Sequence, residues 1–270
     1  MQIWSFLEIL MFFLILVGFW SFFIEPRIIQ TEKIYLEIKN LPSPFKELKI
    51  VQLSDLHSKN FGPKEKKVLK EIAKLNPDFI FITGDLVDWA TTDFDSCQEF
   101  WQKLSQSRKG KIFAIYGNHE HRNKKFKNLN NILKESGIEV LNNETIEIEK
   151  NGKFIYLIGV DDPHLGFDNF QKATQGLTEN NPKILLAHSP EIFSKVKGKV
   201  DLVLTGHTHG CQINLPILCR FILPVDYYSQ YKKGLFQEDS TYLYVNRGVG
   251  ETFLPLRFNS FSEIALIELK

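Results

Sequence analysis

The sequence predicts an α/β domain preceded by an N-terminal hydrophobic helix. Three observations predict this fold class: a 22-residue run with 18 apolar residues at positions 3–24, eight later apolar runs of strand length, and an amphipathic helical pattern between two of them. Strands that alternate with helices are typical of a domain whose sheets are largely buried. Because the chain has 270 residues and 43% of them are hydrophobic, it is long enough to enclose such sheets and too apolar to be disordered.

The first element is the apolar run at residues 3–24. A helix of this length would extend about 33 Å, which is enough to cross a hydrocarbon core of about 30 Å. No base precedes the run and no small-residue cleavage site follows it, so we expect it to be retained as a membrane anchor over residues 1–26. Arg27 and Lys33 come next, which by the positive-inside rule places the rest of the chain on the cytoplasmic side. The alternative is a buried hydrophobic helix of the domain itself.

The remaining elements are expected to form one domain over residues 45–270, after a short connector. Apolar and β-branched runs predict its strands. The segment 63–75 predicts a helix, because its apolar residues recur on one face while its lysines lie on the other. The predicted strands are residues 48–53, 79–83, 112–116, 154–160, 183–187, 201–205, 242–245 and 263–269.

Charge and cysteine content narrow the function classes. The 33 Lys and Arg nearly balance the 32 Asp and Glu, so bulk charge gives no argument for binding to nucleic acid. The three cysteines are odd in number and contain no C-x-x-C pair, which argues against a disulfide framework or a structural zinc site. Free cysteines are typical of a reducing compartment and agree with a cytoplasmic domain.

Polar side chains follow five of the predicted strands at the point where each strand ends. Open α/β sheets assemble their ligand sites at this edge, so five such positions together indicate one convergent site. The glycines that precede several of them are expected to supply tight turns. The segments are Ser54-Asp55-Leu56-His57, Gly84-Asp85, Gly117-Asn118-His119-Glu120, His188, and Gly206-His207-Thr208-His209.

The residue types at these positions favour a metal centre. Carboxylates, an amide and imidazoles without thiolate suit Mn²⁺, Fe or Zn²⁺ better than Ca²⁺ or Mg²⁺. The candidates outnumber the ligands of one tetrahedral ion, whereas two ions about 3.5 to 4 Å apart would use them all and could clamp a phosphoryl group. The nucleophile elbow G-x-S-x-G of serine hydrolases does not occur in the sequence.

Taken in order and spacing, these segments resemble the calcineurin-like metallophosphoesterase superfamily, a β-sandwich flanked by helices. The resemblance extends to its membrane-associated YkuE/YaeI/LpxG-like branch through Gly206 to Gln212, Asn246-Arg247-Gly248-Val249-Gly250 and Pro255-Leu256-Arg257. It implies a hydrolase with two divalent metal ions, Mn²⁺ first and Fe or Zn²⁺ as alternatives, in which a hydroxide that bridges the ions attacks phosphorus. It implies that Asp55, His57 and His209 bind the first ion, that Asp85 bridges, and that Asn118, His188 and His207 bind the second.

The same resemblance assigns His119 as the catalytic residue, either as the acid on the leaving group or as a stabiliser of charge. His119 is next to a ligand and is not needed to complete either set. Glu120 and Asp88 are interpreted as orienting or capping residues. Cys211 lies where this branch usually has glycine, and its role is left open between packing and a soft metal contact.

One tryptophan lowers the case for a protein monoester phosphatase, whereas the anchor helix, a basic segment and an apolar segment together favour a substrate presented at a membrane. Trp89 stands where phosphoprotein phosphatases of the superfamily carry a phosphate-binding arginine. Residues 108–134 hold eight bases and one acid, which predicts either an ordinary solvated face or a rim that attracts anionic groups. The apolar, proline-broken stretch 213–228 could contact lipid or cover the core.

Within this class the resemblance implies hydrolysis of UDP-2,3-diacylglucosamine to 2,3-diacylglucosamine 1-phosphate and UMP, a step of lipid A biosynthesis at the bacterial inner membrane. A phospholipid phosphodiesterase of undefined substrate is the alternative. A non-catalytic scaffold should lack ligands, but all seven positions are filled, and a DNA nuclease is disfavoured by the apolar helix. No residue decides the oligomeric state.

Overall fold

The computed structural model describes residues 2–92, 94–106, 110–178, 180–215, 219 and 230–270, with side chains from residue 6 onward. Two sheets and their flanking helices account for the domain. The helices are α1 (Gln2–Phe19), α2 (Pro63–Leu75), α3 (Asp95–Gln106), α4 (Asn118–Arg122), α5 (Phe126–Glu135), α6 (Phe170–Ala173) and α7 (Phe193–Val196). The strands are β1 (Ile29–Leu36), β2 (Lys49–Leu53), β3 (Phe79–Thr83), β4 (Ile112–Ile115), β5 (Ile138–Val140), β6 (Glu144–Lys150), β7 (Lys153–Gly159), β8 (Lys183–Leu186), β9 (Leu202–Thr205), β10 (Gly234–Glu238), β11 (Thr241–Val245) and β12 (Ser262–Leu269).

The strands form two mixed sheets. The first has the order β1-β12-β2-β3-β4-β5 and is parallel except where β12 meets β2. The second has the order β10-β11-β9-β8-β7-β6 and is parallel from β11 to β7. Because β2, β3 and β4 run parallel in one sheet and β8 and β9 in the other, their carboxyl ends each lie at one edge of their sheet.

Three groups of buried side chains hold these layers together. The central one packs the facing sides of the two sheets, with Phe81 and Phe113 from the first against Leu157 and Leu186 from the second. The outer face of the first sheet is covered by α2, α3 and α5, and that of the second by α6 and α7. This arrangement confirms the predicted fold class, a sandwich of two sheets flanked by helices.

The N-terminal helix stands apart from this core. Residues Phe6–Arg27 form a 22-residue stretch with mean hydropathy 2.4, and 6% of its most apolar part is buried, so it is long and apolar enough to cross a membrane. Helix α1 continues into a π-helical turn, Trp20–Ile24, and a 3₁₀ turn, Glu25–Arg27. Among the described residues of this stretch, the buried ones lie at its C-terminal end. They are Ser21, Glu25 and Pro26, which the domain covers.

The segment interpreted as a connector needs correction, because it contains β1. This strand pairs in parallel with β12 from Ile29↔Ser262 to Leu36↔Leu269, so the first sheet begins well before residue 45. Its sequence did not reveal a strand because β1 lies at the edge of the sheet, where most of its side chains are partly or fully exposed and polar residues are tolerated.

The cysteine argument is also corrected. Cys211 and Cys219 form a disulfide with their Cα atoms 5.4 Å apart, and Cys97 is a buried cysteine outside this disulfide. The number and the spacing of the cysteines in the sequence did not predict this pair. A disulfide requires two cysteines to lie close together in space, and their spacing along the chain does not determine that. The disulfide removes the cysteine support for a reducing compartment, and it leaves Cys211 without a thiolate for a soft metal contact.

Candidate metal centre

The loops that carry the predicted ligands start at the carboxyl ends of five strands. Asp55 and His57 follow β2, Asp85 follows β3, Asn118 opens α4 after β4, His188 follows β8, and His207 and His209 follow β9. The first three strands belong to one sheet and the last two to the other. The structure therefore brings all seven predicted ligand residues together at one end of the sandwich, where the two sheets meet.

Three of these residues form a first buried group. The Nε2 atoms of His57 and His209 are 3.1 Å apart, and Asp55 Oδ1 lies 3.4 Å from His209 Nε2. The ligating atoms of all three lie within 4.8 Å of one another. Within the described part of the chain, the buried Nδ1 atoms of His57 and His209 have no hydrogen-bond partner, so a proton can reside there while Nε2 presents its lone pair to an ion.

A second group lies beside it. His188 Nε2 is 3.0 Å from His207 Nδ1 and 3.1 Å from Asn118 Oδ1. The other ring nitrogen of His188, Nδ1, is 2.8 Å from the Thr83 carbonyl and donates to it, which leaves Nε2 free to ligate. A backbone acceptor of this kind fixes the tautomer and orientation of a metal-binding imidazole.

Asp85 lies between the two groups. Its Oδ2 atom is 3.3 Å from His188 Nε2 and 3.7 Å from His57 Nε2, so one carboxylate oxygen reaches both. Its other oxygen, Oδ1, accepts a hydrogen bond of 2.9 Å from the His119 amide. A carboxylate held in this position can bridge two ions.

The electrostatics of the site suit cation binding. Burial lowers the pKa of His57 to about 3 and brings the pKa of His207 and of His209 well below its usual value, so these rings are neutral. Burial alone would raise the pKa of Asp85, but attraction from His188 outweighs it and holds that pKa well below its usual range. His188 differs from these rings: burial alone would lower its pKa, but attraction from Asp85 outweighs burial and raises that pKa well above its usual value. A bound ion would replace the extra proton of His188, since a metal ion requires neutral imidazoles beside an ionised carboxylate.

The backbone around the ligands is under conformational strain. Positive φ angles at non-glycine residues cost free energy and persist where the surroundings enforce them, often at functional sites. Five of the seven predicted ligands adopt them: Asp55 (49°), His57 (44°), Asp85 (50°), His207 (67°) and His209 (49°). The sheet ends thus hold these side chains in an otherwise unfavoured conformation that points them at a common centre.

Glycine is required next to the ligands for two different reasons. Gly84 has φ 87° and makes the predicted tight turn. Gly117 and Gly206 do not have positive φ, so the turn explanation is wrong for them. A Cβ at Gly117 would lie 2.4 Å from Asp85 Oδ1, and one at Gly206 would lie 2.3 Å from Asp55 Oδ2, so these glycines make room for the carboxylates.

His119 is presented to the site through a defined tautomer. Its Nδ1 accepts a hydrogen bond of 3.2 Å from the Trp89 amide, so in the neutral ring Nε2 carries the proton. That Nε2 lies 3.9 Å from Asp85 Oδ2, and the ring packs edge-on against His57 with centroids 4.4 Å apart. Burial lowers the pKa of His119, so the neutral donor form prevails at neutral pH.

Glu120 connects two of the ligand loops through hydrogen bonds to their backbone amides. It is fully buried, and its Oε2 accepts hydrogen bonds from the amides of Asp85 (2.9 Å) and Gly117 (2.7 Å), while Oε1 accepts one from Val87 (3.1 Å). Burial raises the pKa of Glu120 to about 8. The carboxyl group therefore ties the loop after β3 to the loop after β4.

Sequence reasoning missed a sixth polar segment at the site. Asp161-Asp162-Pro163-His164 follows β7, the strand predicted at residues 154–160, and so repeats the pattern used for the other five. The rings of His164 and His207 have centroids 4.8 Å apart, and Asp161 Oδ1 lies 2.5 Å from His121 Nε2. The same strand-end criterion, applied to every predicted strand, would have found these residues.

Asp88, interpreted from the sequence as an orienting or capping residue, lies close to the metal centre itself. Its carboxylate and the rings of His57 and His119 bring their polar atoms within 4.8 Å of one another. It also pairs with Lys59 at 3.6 Å. Asp88 therefore adds negative charge on the side of the site where His119 stands.

The donor set fits two divalent ions. Imidazoles and carboxylates form two compact groups, and Asp85 of the second group also lies 3.7 Å from His57 of the first. The absence of thiolate among them favours Mn²⁺, Fe or Zn²⁺. Asp55, His57 and His209 would hold one ion, and Asn118, His188 and His207 the other.

Metal binding is expected to stabilise the domain. An ion that binds only the folded chain at 100 times its dissociation constant adds about 2.7 kcal/mol to the free energy of unfolding. Thermal unfolding of the detergent-solubilised chain, first with EDTA and then with Mn²⁺, should therefore show a clear rise in the unfolding temperature. Mg²⁺, which prefers oxygen ligands, serves as the control and should give a smaller rise. Equal unfolding temperatures in EDTA and Mn²⁺ would contradict the two-ion site.

The sandwich of two sheets and the donor set at its edge define a metal-dependent phosphoesterase. The chain belongs to the calcineurin-like phosphoesterase family, whose pattern its residues 48–211 match. This membership confirms the resemblance inferred from the strand-end motifs.

Relatives from bacteria and vertebrates extend the similarity over most of the chain. The uncharacterized metallophosphoesterase YkuE of Bacillus subtilis is 34% identical over 258 residues, which cover 92% of this chain and 88% of that protein. An uncharacterized metallophosphoesterase of Aquifex aeolicus is 31% identical over 277 residues, covering 96% of this chain and 98% of that protein. A transmembrane protein with metallophosphoesterase domain from Danio rerio is 31% identical over 265 residues, which cover 91% of this chain and 57% of that protein.

Proposed function

We propose that this chain hydrolyses a phosphodiester or pyrophosphate bond in a membrane lipid. UDP-2,3-diacylglucosamine is the proposed substrate, with 2,3-diacylglucosamine 1-phosphate and UMP as products in lipid A biosynthesis. The observation that carries the proposal is the pair of buried ligand groups that share Asp85 beside the Nε2 proton of His119. The alternative of a phospholipid phosphodiesterase of undefined substrate uses the same site.

The reaction assigns a distinct task to each part of the site. Two bound divalent ions, for which Mn²⁺ is proposed, would supply Lewis acidity for the phosphoryl group and for an attacking water. The seven ligand residues at the strand ends of the two sheets would hold those ions, with Asp85 placed between the two ligand groups. His119 directs its Nε2 proton toward the same space, where it can reach the oxygen of the leaving group or stabilise charge on it.

A membrane substrate is supported by features outside the metal centre. The apolar helix Phe6–Arg27 could hold the domain at a bilayer, and the relative from Danio rerio is named a transmembrane protein. Four exposed bases lie between the end of α4 and the start of α5, where they can attract an anionic head group: Arg122, Lys124, Lys125 and Lys127. Trp89, half exposed, stands in place of the arginine that the resemblance would require for a phosphoprotein phosphatase. Most of the apolar stretch 213–228 lies outside the described residues and adds no support.

The proposed location is the cytoplasmic face of the membrane, at the inner membrane in a bacterium. This side is supported by Arg27 and Lys33 at the end of the helix. The disulfide between Cys211 and Cys219 gives it no support, since such bonds persist mainly in oxidising compartments.

The test is a detergent-solubilised assay of the full chain with UDP-2,3-diacylglucosamine and Mn²⁺, run beside bis-p-nitrophenyl phosphate and the variant Asp85→Asn. Rapid release of UMP that the variant loses would support the lipid A proposal. Cleavage of the generic diester alone would overturn this substrate and retain a phosphodiesterase for other membrane lipids. Failure of both reactions in the metal-loaded chain would favour a non-catalytic scaffold.

A further inference from the structure

The loop that follows β11 exposes an unusual apolar tip. Phe253 is 92% exposed and Leu254 57% exposed, and Pro255 beside them is exposed as well. Phe253 has φ 58°, a conformation that is costly for a bulky residue. We define residues 252–255 as the tip loop. Neighbouring apolar side chains held outward in this way mark a contact surface rather than a defect of packing.

The tip loop is held in place by buried polar contacts on both sides. Gln212 Nε2 donates to the carbonyls of Thr252 (3.1 Å) and Leu254 (2.9 Å), and its Oε1 accepts from the Thr252 amide (3.0 Å). Behind the loop, the fully buried Arg257 donates to four carbonyl groups, those of Arg247, Gly248, Gly250 and Ser260. The outward position of Phe253 is thus fixed by its neighbours.

The base of the tip loop is joined to the end of the hydrophobic helix. The Arg257 amide donates to the Ser21 carbonyl at 2.9 Å. Glu25, which is buried, accepts from the Ser260 amide (2.7 Å) through Oε1 and from Trp20 Nε1 (2.8 Å) through Oε2. Phe253 is four residues from Arg257, so it lies no more than about 14 Å from the point where the helix leaves the domain.

Two exposed bases lie at this junction. Arg27 is exposed at the end of the helix, and Lys67 Nζ on α2 donates to the Arg27 carbonyl at 2.6 Å. One turn earlier on α2, Lys64 pairs with Glu251 next to the tip loop at 2.5 Å, so its charge is balanced and the exposed bases here are Arg27 and Lys67. Apolar side chains backed by exposed bases suit the interfacial region of an anionic bilayer, where Phe enters the acyl boundary and Lys and Arg meet phosphates.

The tip loop also borders the metal centre. The Gly250 amide donates to the carbonyl of Asp55 at 2.6 Å. A cavity of about 350 Å³ between this loop and the start of α2 is lined by His57 on one side and by Phe253 and Leu254 on the other. A bilayer in contact with the tip would therefore meet a cavity that one of the predicted metal ligands, His57, helps to line.

We propose that the tip loop inserts into the bilayer that holds the hydrophobic helix, so that the cavity beside His57 opens at the lipid surface. The partner is an anionic lipid interface, and the contact is in addition to the helix itself. This inference rests on the proposed action at a membrane, and it does not depend on which lipid is hydrolysed.

The test places an environment-sensitive fluorophore, NBD, on single introduced cysteines of the full chain. Phe253→Cys reports the tip, Phe12→Cys the middle of α1, and Tyr35→Cys an exposed control site. Tyr35 is 59% exposed near the far end of β1, six residues and about 20 Å from Ile29 beside the helix. The unmodified chain, in which Cys97 is buried, measures background labelling. Each protein is reconstituted in vesicles of phosphatidylcholine with one quarter phosphatidylglycerol, with and without lipid that carries a nitroxide high in its acyl chain.

The expected result is that nitroxide lipid quenches NBD at positions 253 and 12 roughly twofold and leaves position 35 unchanged, since interfacial side chains enter about 5–10 Å into the bilayer. Quenching at position 12 alone would overturn the tip insertion while keeping the membrane anchor. Equal quenching at 253 and 35 would also overturn it, as would a blue shift at 253 without quenching, which indicates contact with protein. Lack of quenching at all positions would overturn both the inference and the proposed action at a membrane.

Discussion

Replacing Asp85 by asparagine is expected to lower kcat by about 10³-fold or more, equivalent to about 4 kcal/mol of transition-state stabilisation. Asp85 Oδ2 lies within 3.7 Å of a candidate ligand nitrogen from each group, on His57 and on His188. An amide has the same shape but no negative charge, so it cannot hold two cations in place. Asparagine also tolerates the φ of 50° at this position, so the backbone should not change. The measurements are the metal content and the rate of diester hydrolysis with saturating Mn²⁺.

Asp239→Asn is the matched control for this substitution. Asp239 has a similar φ of 46°, its side chain is 64% exposed, and its partner is Lys197 on the surface at 3.7 Å. The same chemical change there should leave the rate and metal content of the chain unaltered. If Asp85→Asn kept both ions and most of its activity, the bridging role of Asp85 would be wrong.

The parts of the fold and site that the sequence could predict are those with a local signal. Strands in the middle of a sheet are apolar on both faces, so β3 was predicted at its observed bounds, 79–83, and α2 likewise at 63–75. The ligand positions followed from one rule, that polar residues at the ends of parallel strands converge. In this protein the strand ends that carry ligands belong to two sheets. The rule identified them without any information on how the two sheets pack.

Other features could not be predicted because they depend on contacts between distant segments. The edge strand β6 alternates charged and apolar residues and carries no buried run. The contact between Glu25 and the Ser260 amide joins positions 235 residues apart, and no local pattern marks a glutamate at the end of an apolar helix as buried. The disulfide between Cys211 and Cys219 depends in the same way on a loop conformation. The contact of Glu25 joins the hydrophobic helix to the domain, so the sequence alone separates an anchor and a domain that the structure joins.

His119→Ala is expected to cut kcat by about 10²- to 10⁴-fold while leaving the metal content nearly intact, because general acid catalysis contributes about this much and His119 is not one of the seven predicted ligands. His57→Ala is the paired variant. The two rings are in contact, with centroids 4.4 Å apart and both buried, so the substitutions create similar cavities at the same place. His57→Ala should lose an ion, however, since His57 Nε2 faces His209 Nε2 at 3.1 Å.

The role of His119 can then be resolved by changing the leaving group. If its Nε2 proton is transferred to the departing oxygen, the loss in kcat should be small for p-nitrophenolate, which departs without a proton, and large for an alkoxide. A uniform loss across leaving groups would assign His119 to the stabilisation of charge instead. Because the Trp89 amide holds Nδ1 as the acceptor, both roles use the same Nε2 proton. Metal loss in His119→Ala equal to that in His57→Ala would show that the division between ligand and catalytic residue is incorrect.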